Sequence, residues 1–270
     1  MDKNAPIGVF DSGVGGLTVV REIMKQLPNE RIVYFGDTAR VPYGSKSKET
    51  VITYARQIVK FLQTKEVKAI VIACNTACAL AFDTVKEESD IPVIGVVKPG
   101  AKAAATTTKN GKIGIIATEA TIHSGIYETF LSQTNPEVQV YGKACPLFVP
   151  LVEEGLLDDS VTVEIASRYL KPLKKEEIDT LVLGCTHYPL IRDTLQKVAG
   201  DEVTLVNPAF ETAKSLKRML DKYDISCDRT HTVTDHKFFV SDGAEKFKMF
   251  ANTILPCDVE ETKDINIEQY

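Results

Sequence analysis

The chain has 270 residues, 44% of them hydrophobic and 26% charged, with a formal net charge of −5. This is the composition of a soluble globular protein, long enough for one large or two ordinary α/β domains. The acidic balance and the lack of any basic run argue against nucleic acid or an anionic membrane surface as the main partner. No apolar run reaches the roughly 20 residues of a membrane span, and Met1 to Pro6 does not read as a signal peptide, so a cytoplasmic location is expected.

Ile7-Gly8-Val9-Phe10 is an apolar strand that ends at Asp11-Ser12-Gly13-Val14-Gly15-Gly16, and a helix is expected from Leu17 to Leu27. Glycines between strand and helix let backbone N–H groups approach an anion at the helix start. The run lacks the G-x-G-x-x-G spacing of a dinucleotide site. Asp11 stands at the strand end, either inside a site or as a cap on the turn. A second strand, Arg31 to Phe35, leads into a polar loop from Gly36-Asp37 to Tyr43-Gly44. The next helix carries Val51, Tyr54, Ala55, Ile58, Phe61 and Leu62 at helical spacing, a core stripe.

Ile70-Val71-Ile72-Ala73-Cys74-Asn75-Thr76-Ala77 then reads as a buried parallel strand, a cysteine and the start of a helix running to about Glu88. Ile91 to Val97 is a further strand, and Lys98-Pro99-Gly100 with the Ala/Thr-rich helix after it reads as a crossing between domains. Beyond it the opening repeats: Ile113-Gly114-Ile115-Ile116-Ala117-Thr118 parallels Ile7 to Ser12, and Leu181-Val182-Leu183-Gly184-Cys185-Thr186-His187-Tyr188 parallels the Cys74 stretch. The offsets, 106 residues for the first pair and 111 for the second, point to duplication of a whole half.

Within the second half a strand is expected near Val138 to Gly142, a loop from Cys145 to Pro150, a helix from Ser160 to about Leu170, a helix from Pro189 and a strand from Val203 to Val206. From Asn207 the chain is expected to pack back on the first domain, with a helix, a loop from Asp224 to His236, the strand Lys237 to Val240 and a last helix. The charged tail from Asp258 is expected to fray. The fold class is therefore α/β, in two pseudo-symmetric domains with mostly parallel sheets flanked by helices and a site between them. Residues 1–97 with 207–270 form the first domain and 98–206 the second.

Cys74 and Cys185 fall where a strand ends and a helix begins, the edge at which open α/β sheets bind ligands. Two such thiols could form a redox switch, or one could attack with His187 as its base. Duplication favours a third reading. Equivalent groups on opposite faces of one carbon can exchange its proton and invert it. Asp11 and His187 would each assist one thiol, and a helix N-terminus at each sulfur would favour thiolate. Cys78, Cys145, Cys227 and Cys257 read as small buried apolar residues. The scattered histidines argue against a metal site, and no lysine sits in either motif to hold pyridoxal phosphate.

Asp-Ser-Gly-Val-Gly-Gly (11–16), Tyr-Phe-Gly-Asp-Thr-Ala-Arg (34–40) with Pro-Tyr-Gly (42–44), Ala-Cys-Asn-Thr-Ala (73–77) and Gly-Cys-Thr-His-Tyr-Pro-Leu (184–190) together resemble the bacterial glutamate racemase family, from Ile7 to about Leu255. The resemblance implies cofactor-independent interconversion of L- and D-glutamate, supplying D-glutamate for peptidoglycan, by two α/β domains that often pair as a homodimer. It implies Cys74 and Cys185 as the acid/base pair, Asp11 and His187 as their assistants, and Asp37 and Glu153 as further acidic positions. Ser12, Tyr43, Gly44, Asn75, Thr76, Thr118, Thr121 and Thr186 resemble the substrate contacts. Asn207-Pro208 departs from the family pattern, in which an Asp and a small residue often follow this strand. A non-catalytic binder of acidic amino acids would need neither thiol, and an aspartate-specific relative would keep both. Arg40, the strong cation within the motifs, is assigned to structure or an interface.

Overall fold

The computed structural model describes residues 2–228 and 230–270. The first half of the chain runs β1 (Ile7–Asp11), α1 (Leu17–Gln26), β2 (Ile32–Gly36), α2 (Lys48–Gln63), β3 (Ala69–Ile72), α3 (Asn75–Glu87), β4 (Val93–Gly95) and α4 (Val97–Thr107). It continues as β5 (Lys112–Ala117), α5 (Glu119–His123), α6 (Ile126–Thr134), β6 (Gln139–Ala144), α7 (Phe148–Glu153), α8 (Ser160–Lys175), β7 (Thr180–Gly184), α9 (Arg192–Ala199) and β8 (Thr204–Val206). The return is α10 (Pro208–Lys222), β9 (Lys237–Val240), α11 (Ala244–Ile254) and β10 (Thr262–Asp264).

Two sheets result, ordered β10-β9-β2-β1-β3-β4 and β6-β5-β7-β8, and every pairing in both is parallel. The block β2-β1-β3-β4 recurs as β6-β5-β7-β8, strand for strand. Register repeats as well: Ile7 faces Ala69 across β1 and β3, and Ile113 faces Thr180 across β5 and β7. Cys74 and Cys185 therefore stand at the same distance beyond the same strand of each copy. All residues of β1, β2, β3 and β7 are buried, as parallel strands covered on both faces must be. Helix α4 carries the chain from the first sheet to the second, and α10 carries it back.

Several local expectations change. The strand expected over 91–97 stops at Gly95, and Val97 opens α4. Pro99 does not break that helix because it lies in the first turn, where no intrahelical donor is required. Part of the loop expected from Cys145 to Pro150 is helical from Phe148, with Pro150 again in a first turn. Helix α8 continues past Leu170 to Lys175, and Val203 lies outside β8. The tail is the clearest correction, since it does not fray. Strand β10 adds to the edge of β9, Val259 and Ile267 are buried, and the Tyr270 ring meets Phe61 edge-on at 5.4 Å. The charged residues 260, 261, 263 and 264 point to solvent while a few apolar ones turn inward. Net composition hid that alternation.

Candidate active site

Parallel strands deliver their C-terminal ends to one edge of each sheet, and the two cysteines at those edges line one cavity. Cys74 is the N-cap of α3: its extended backbone turns the thiol back so that Sγ accepts from Ala77 N at 3.4 Å. Its S–H donates to Ser12 Oγ at 3.5 Å. Burial pushes the thiol up to about 12, and the charge of Asp11 pushes in the same direction. The favourable helix start does not overcome that desolvation, so Cys74 rests as a thiol.

Cys185 was expected to sit at a helix N-terminus too, and it does not. A turn follows it, then a 3₁₀ segment at Tyr188–Ile191, and α9 begins only at Arg192. Helix support is replaced by a side chain. His187 Nδ1 stands 3.8 Å from Cys185 Sγ, and His187 Nε2 stands 3.0 Å from Glu153 Oε1, at the end of α7. Burial disfavours charge on the imidazole, yet the hydrogen bonds to Cys185 and Glu153 outweigh it and hold His187 up to about 10. Bonding to His187 in turn keeps Glu153 below the ordinary carboxylate range. The chain Glu153–His187–Cys185 thus gives the second thiol a cationic neighbour, where the first has a serine hydroxyl.

Asp11, at the end of β1, has no solvent exposure. It accepts from Gly13 N at 3.0 Å and from Thr186 Oγ1, across the interface between the halves, at 3.4 Å. Burial raises its carboxyl, opposed by the nearby His187. Thr18 at the start of α1 donates to the Thr186 carbonyl at 2.8 Å. Close contact is one reason for glycine in this turn. A Cβ on Gly15 would lie 2.4 Å from Thr186 Oγ1 and 2.5 Å from His187 Nδ1.

Between the halves lies a cavity of about 420 Å³. Ser12, Cys74, Asn75 and Thr76 line it from the first half, and Thr118, Glu119, Glu153, Cys185, Thr186 and His187 from the second. Val41, Pro42, Tyr43, Gly44, Ser45, Pro146, Val149 and Pro150 complete the wall, and the lining contains no lysine or arginine. Thr76 and Thr118 hydroxyls meet at 2.9 Å across the halves, with Thr121 behind them at 3.3 and 3.0 Å. Asn75 Oδ1 accepts from Tyr127 Oη at 2.7 Å, which fixes the amide.

Of the residues singled out in the sequence, Asp11, Asp37 and Thr121 are absent from this lining, and Asp11 lies wholly buried behind it, bonded to Thr186. Thr121 supports the hydroxyl cluster. Asp37 is wholly buried beneath the wall and is occupied by Arg40, Tyr43 and Ser241. Arg40 is structural on this geometry, paired with Asp37 and lying 3.9 Å over the Tyr54 ring. Tyr127 and Ser241 carried no local signal, since each acts through a neighbour remote in sequence. All six cysteines are unbridged. Among the described residues no group of three or more His, Cys, Asp or Glu could hold a metal ion.

A model of the family described as Asp/Glu/hydantoin racemase matches residues 7–216. The glutamate racemase of Oceanobacillus iheyensis is 49% identical over 256 residues, covering 94% of this chain and 92% of that one. A crystal structure of a glutamate racemase from Bacillus anthracis superposes with a TM-score of 0.94 at 42% identity, covering 98% of both chains. The glutamate racemase of Francisella tularensis, solved in complex with D-glutamate, gives a TM-score of 0.91 at 39% identity over 99% of this chain and 100% of that one.

Proposed function

The chain belongs to the Asp/Glu/hydantoin racemase family, and on that basis we propose that it interconverts L- and D-glutamate by a two-thiol mechanism. One observation carries the reading: Cys74 and Cys185 line a single cavity from equivalent positions of two duplicated halves. One sulfur, as thiolate, takes the proton from Cα. The other, as thiol, gives its proton to the opposite face, and the configuration inverts. The two sulfurs finish with their protonation exchanged, so the next turnover runs in reverse or follows proton exchange with water.

The asymmetry of support fits this division of labour. Cys74, held as a thiol by burial, is ready to donate, and cationic His187 offers the Cys185 side a counter-charge. Negative charge that develops toward the substrate carboxylate meets the Asn75 amide, the hydroxyls of Thr76 and Thr186 and the start of α3. These neutral donors suit an anionic amino acid in a lining without lysine or arginine. The reaction needs no cofactor in this scheme. Its product would be D-glutamate for peptidoglycan, made in the cytoplasm by a homodimer.

Incubation with L-glutamate and, separately, L-aspartate in deuterated water tests the reading. Deuterium at Cα with loss of optical activity, for glutamate alone, is the expected result. Incorporation with aspartate alone would replace the substrate assignment. Near-normal turnover by either Cys74→Ala or Cys185→Ala would sink the two-thiol mechanism.

A further inference from the structure

The wall of the cavity at Tyr43 and Gly44 rests on a residue from the far end of the chain. Asp37 has no exposed surface, and a buried carboxylate is stable only if its oxygens are filled. Arg40 Nε reaches Oδ1 at 2.9 Å and Oδ2 at 2.8 Å. The Tyr43 phenol donates to Oδ2, and Ser241 Oγ donates to Oδ1 at 2.8 Å.

Ser241 lies 204 residues beyond Asp37 in sequence. Strand β9 brings it there by pairing with β2, and Ser241 N continues the ladder to Gly36 O at 3.1 Å. Its hydroxyl has two fixed duties. It accepts from Ala39 N at 2.8 Å, so its own proton is directed to Asp37. The Tyr43 ring, thereby held at the hydroxyl end, packs on Tyr54 at 5.5 Å between centroids, beneath the Arg40 guanidinium. Gly44, the next residue, lies against the opposite half of the protein: a Cβ there would come 2.9 Å from Thr118 Cβ.

We infer that Ser241 is a positioning residue, which sets the Tyr43–Gly44 wall of the cavity through the Asp37 carboxylate. Ser241 is not among the residues that line the cavity, so it acts on substrate only through this relay. Tyr43 and Gly44 share the cavity lining with the two cysteines but are not the groups that move the proton, so their contact with substrate is taken to hold ground state and transition state alike. Its loosening raises KM and leaves kcat nearly unchanged. The kinetic part of this inference rests on the racemase reading above, and its structural part does not.

The test uses Ser241→Ala and Ser241→Thr in the full-length protein. Loss of one hydrogen bond to a buried carboxylate predicts a roughly tenfold rise in KM for glutamate in Ser241→Ala, with kcat within about twofold. Ser241→Thr, which keeps the hydroxyl, restores KM. On a Tyr43→Phe background Ser241→Ala adds nothing further, because the relay is already cut. Independently of substrate, carbon-13 labelling at tyrosine Cζ gives a Tyr43 resonance, assigned by its loss in Tyr43→Phe, that moves in Ser241→Ala and returns in Ser241→Thr. An unmoved Tyr43 resonance, or a KM effect that persists in full on the Tyr43→Phe background, overturns the inference. Should the unsubstituted chain fail to racemise glutamate, the proposed function falls, and the resonance alone decides whether Ser241 positions Tyr43.

Discussion

His187 presents Nδ1 to Cys185 at 3.8 Å, a contact with no equivalent at Cys74 in the duplicated half. There the position two residues on is Thr76, which opens a helix and bonds Thr118 instead. The same strand and the same cysteine have thus been given different chemical neighbours. Duplication supplied the positions and divergence supplied the charges.

Coupling through His187 makes stability depend on pH with a definite sign. Its folded-state value of about 10 lies above the ordinary 6.5, so its contribution is fully present below about 6.5 and is lost as pH rises through about 10. Denaturant unfolding of the parent and of His187→Gln should differ most at or below pH 6.5. The gap should close steadily towards pH 10. A gap independent of pH would remove the charge-based account of this histidine.

Asp11 acts on Cys74 through its field. After burial, its negative charge is the next cause that keeps the thiol protonated. Asp11→Asn removes that charge, so Cys74 should ionise at lower pH and react several-fold faster with iodoacetamide at pH 8 to 9. Mass spectrometry of the Cys74 peptide measures the rate. An unchanged or slower rate would show that burial alone controls the thiol.

Gly15 permits the approach of the first half to Thr186 and His187. Gly15→Ala should cost about 1–3 kcal/mol in urea unfolding, as overpacking does. Activity should suffer more than stability implies, because a shift of about 1 Å in His187 can cost about 100-fold in rate. Steady-state kinetics on the folded variant separates the two effects.

Deletion of residues 258–270 should be destabilising, although that segment is mostly polar. It removes β10 from the sheet edge, together with buried Val259 and Ile267 and the Tyr270–Phe61 contact. Loss of that burial predicts a decrease of about 2–4 kcal/mol. A melting temperature equal to that of the full chain would contradict the docked tail.

Local pattern alone determined the duplicated α/β plan and the placement of both cysteines. Runs such as Ile70 to Ala73 and Leu181 to Gly184 announce buried parallel strands through their own residues, and the repeat puts each thiol at the same edge. The motif residues at 11–16, 42–44, 73–77 and 184–190 were legible for the same reason, being contiguous. What the fold alone decided is which group touches which. The Cys185 helix start gave way to a 3₁₀ turn and a histidine, and Asp37 went beneath the wall rather than into the cavity. The tail docked because a few inward residues outweigh its charged ones. Hydrogen bonds and desolvation depend on distances between atoms far apart in the chain, such as Ser241 and Asp37. No one-dimensional period encodes those distances.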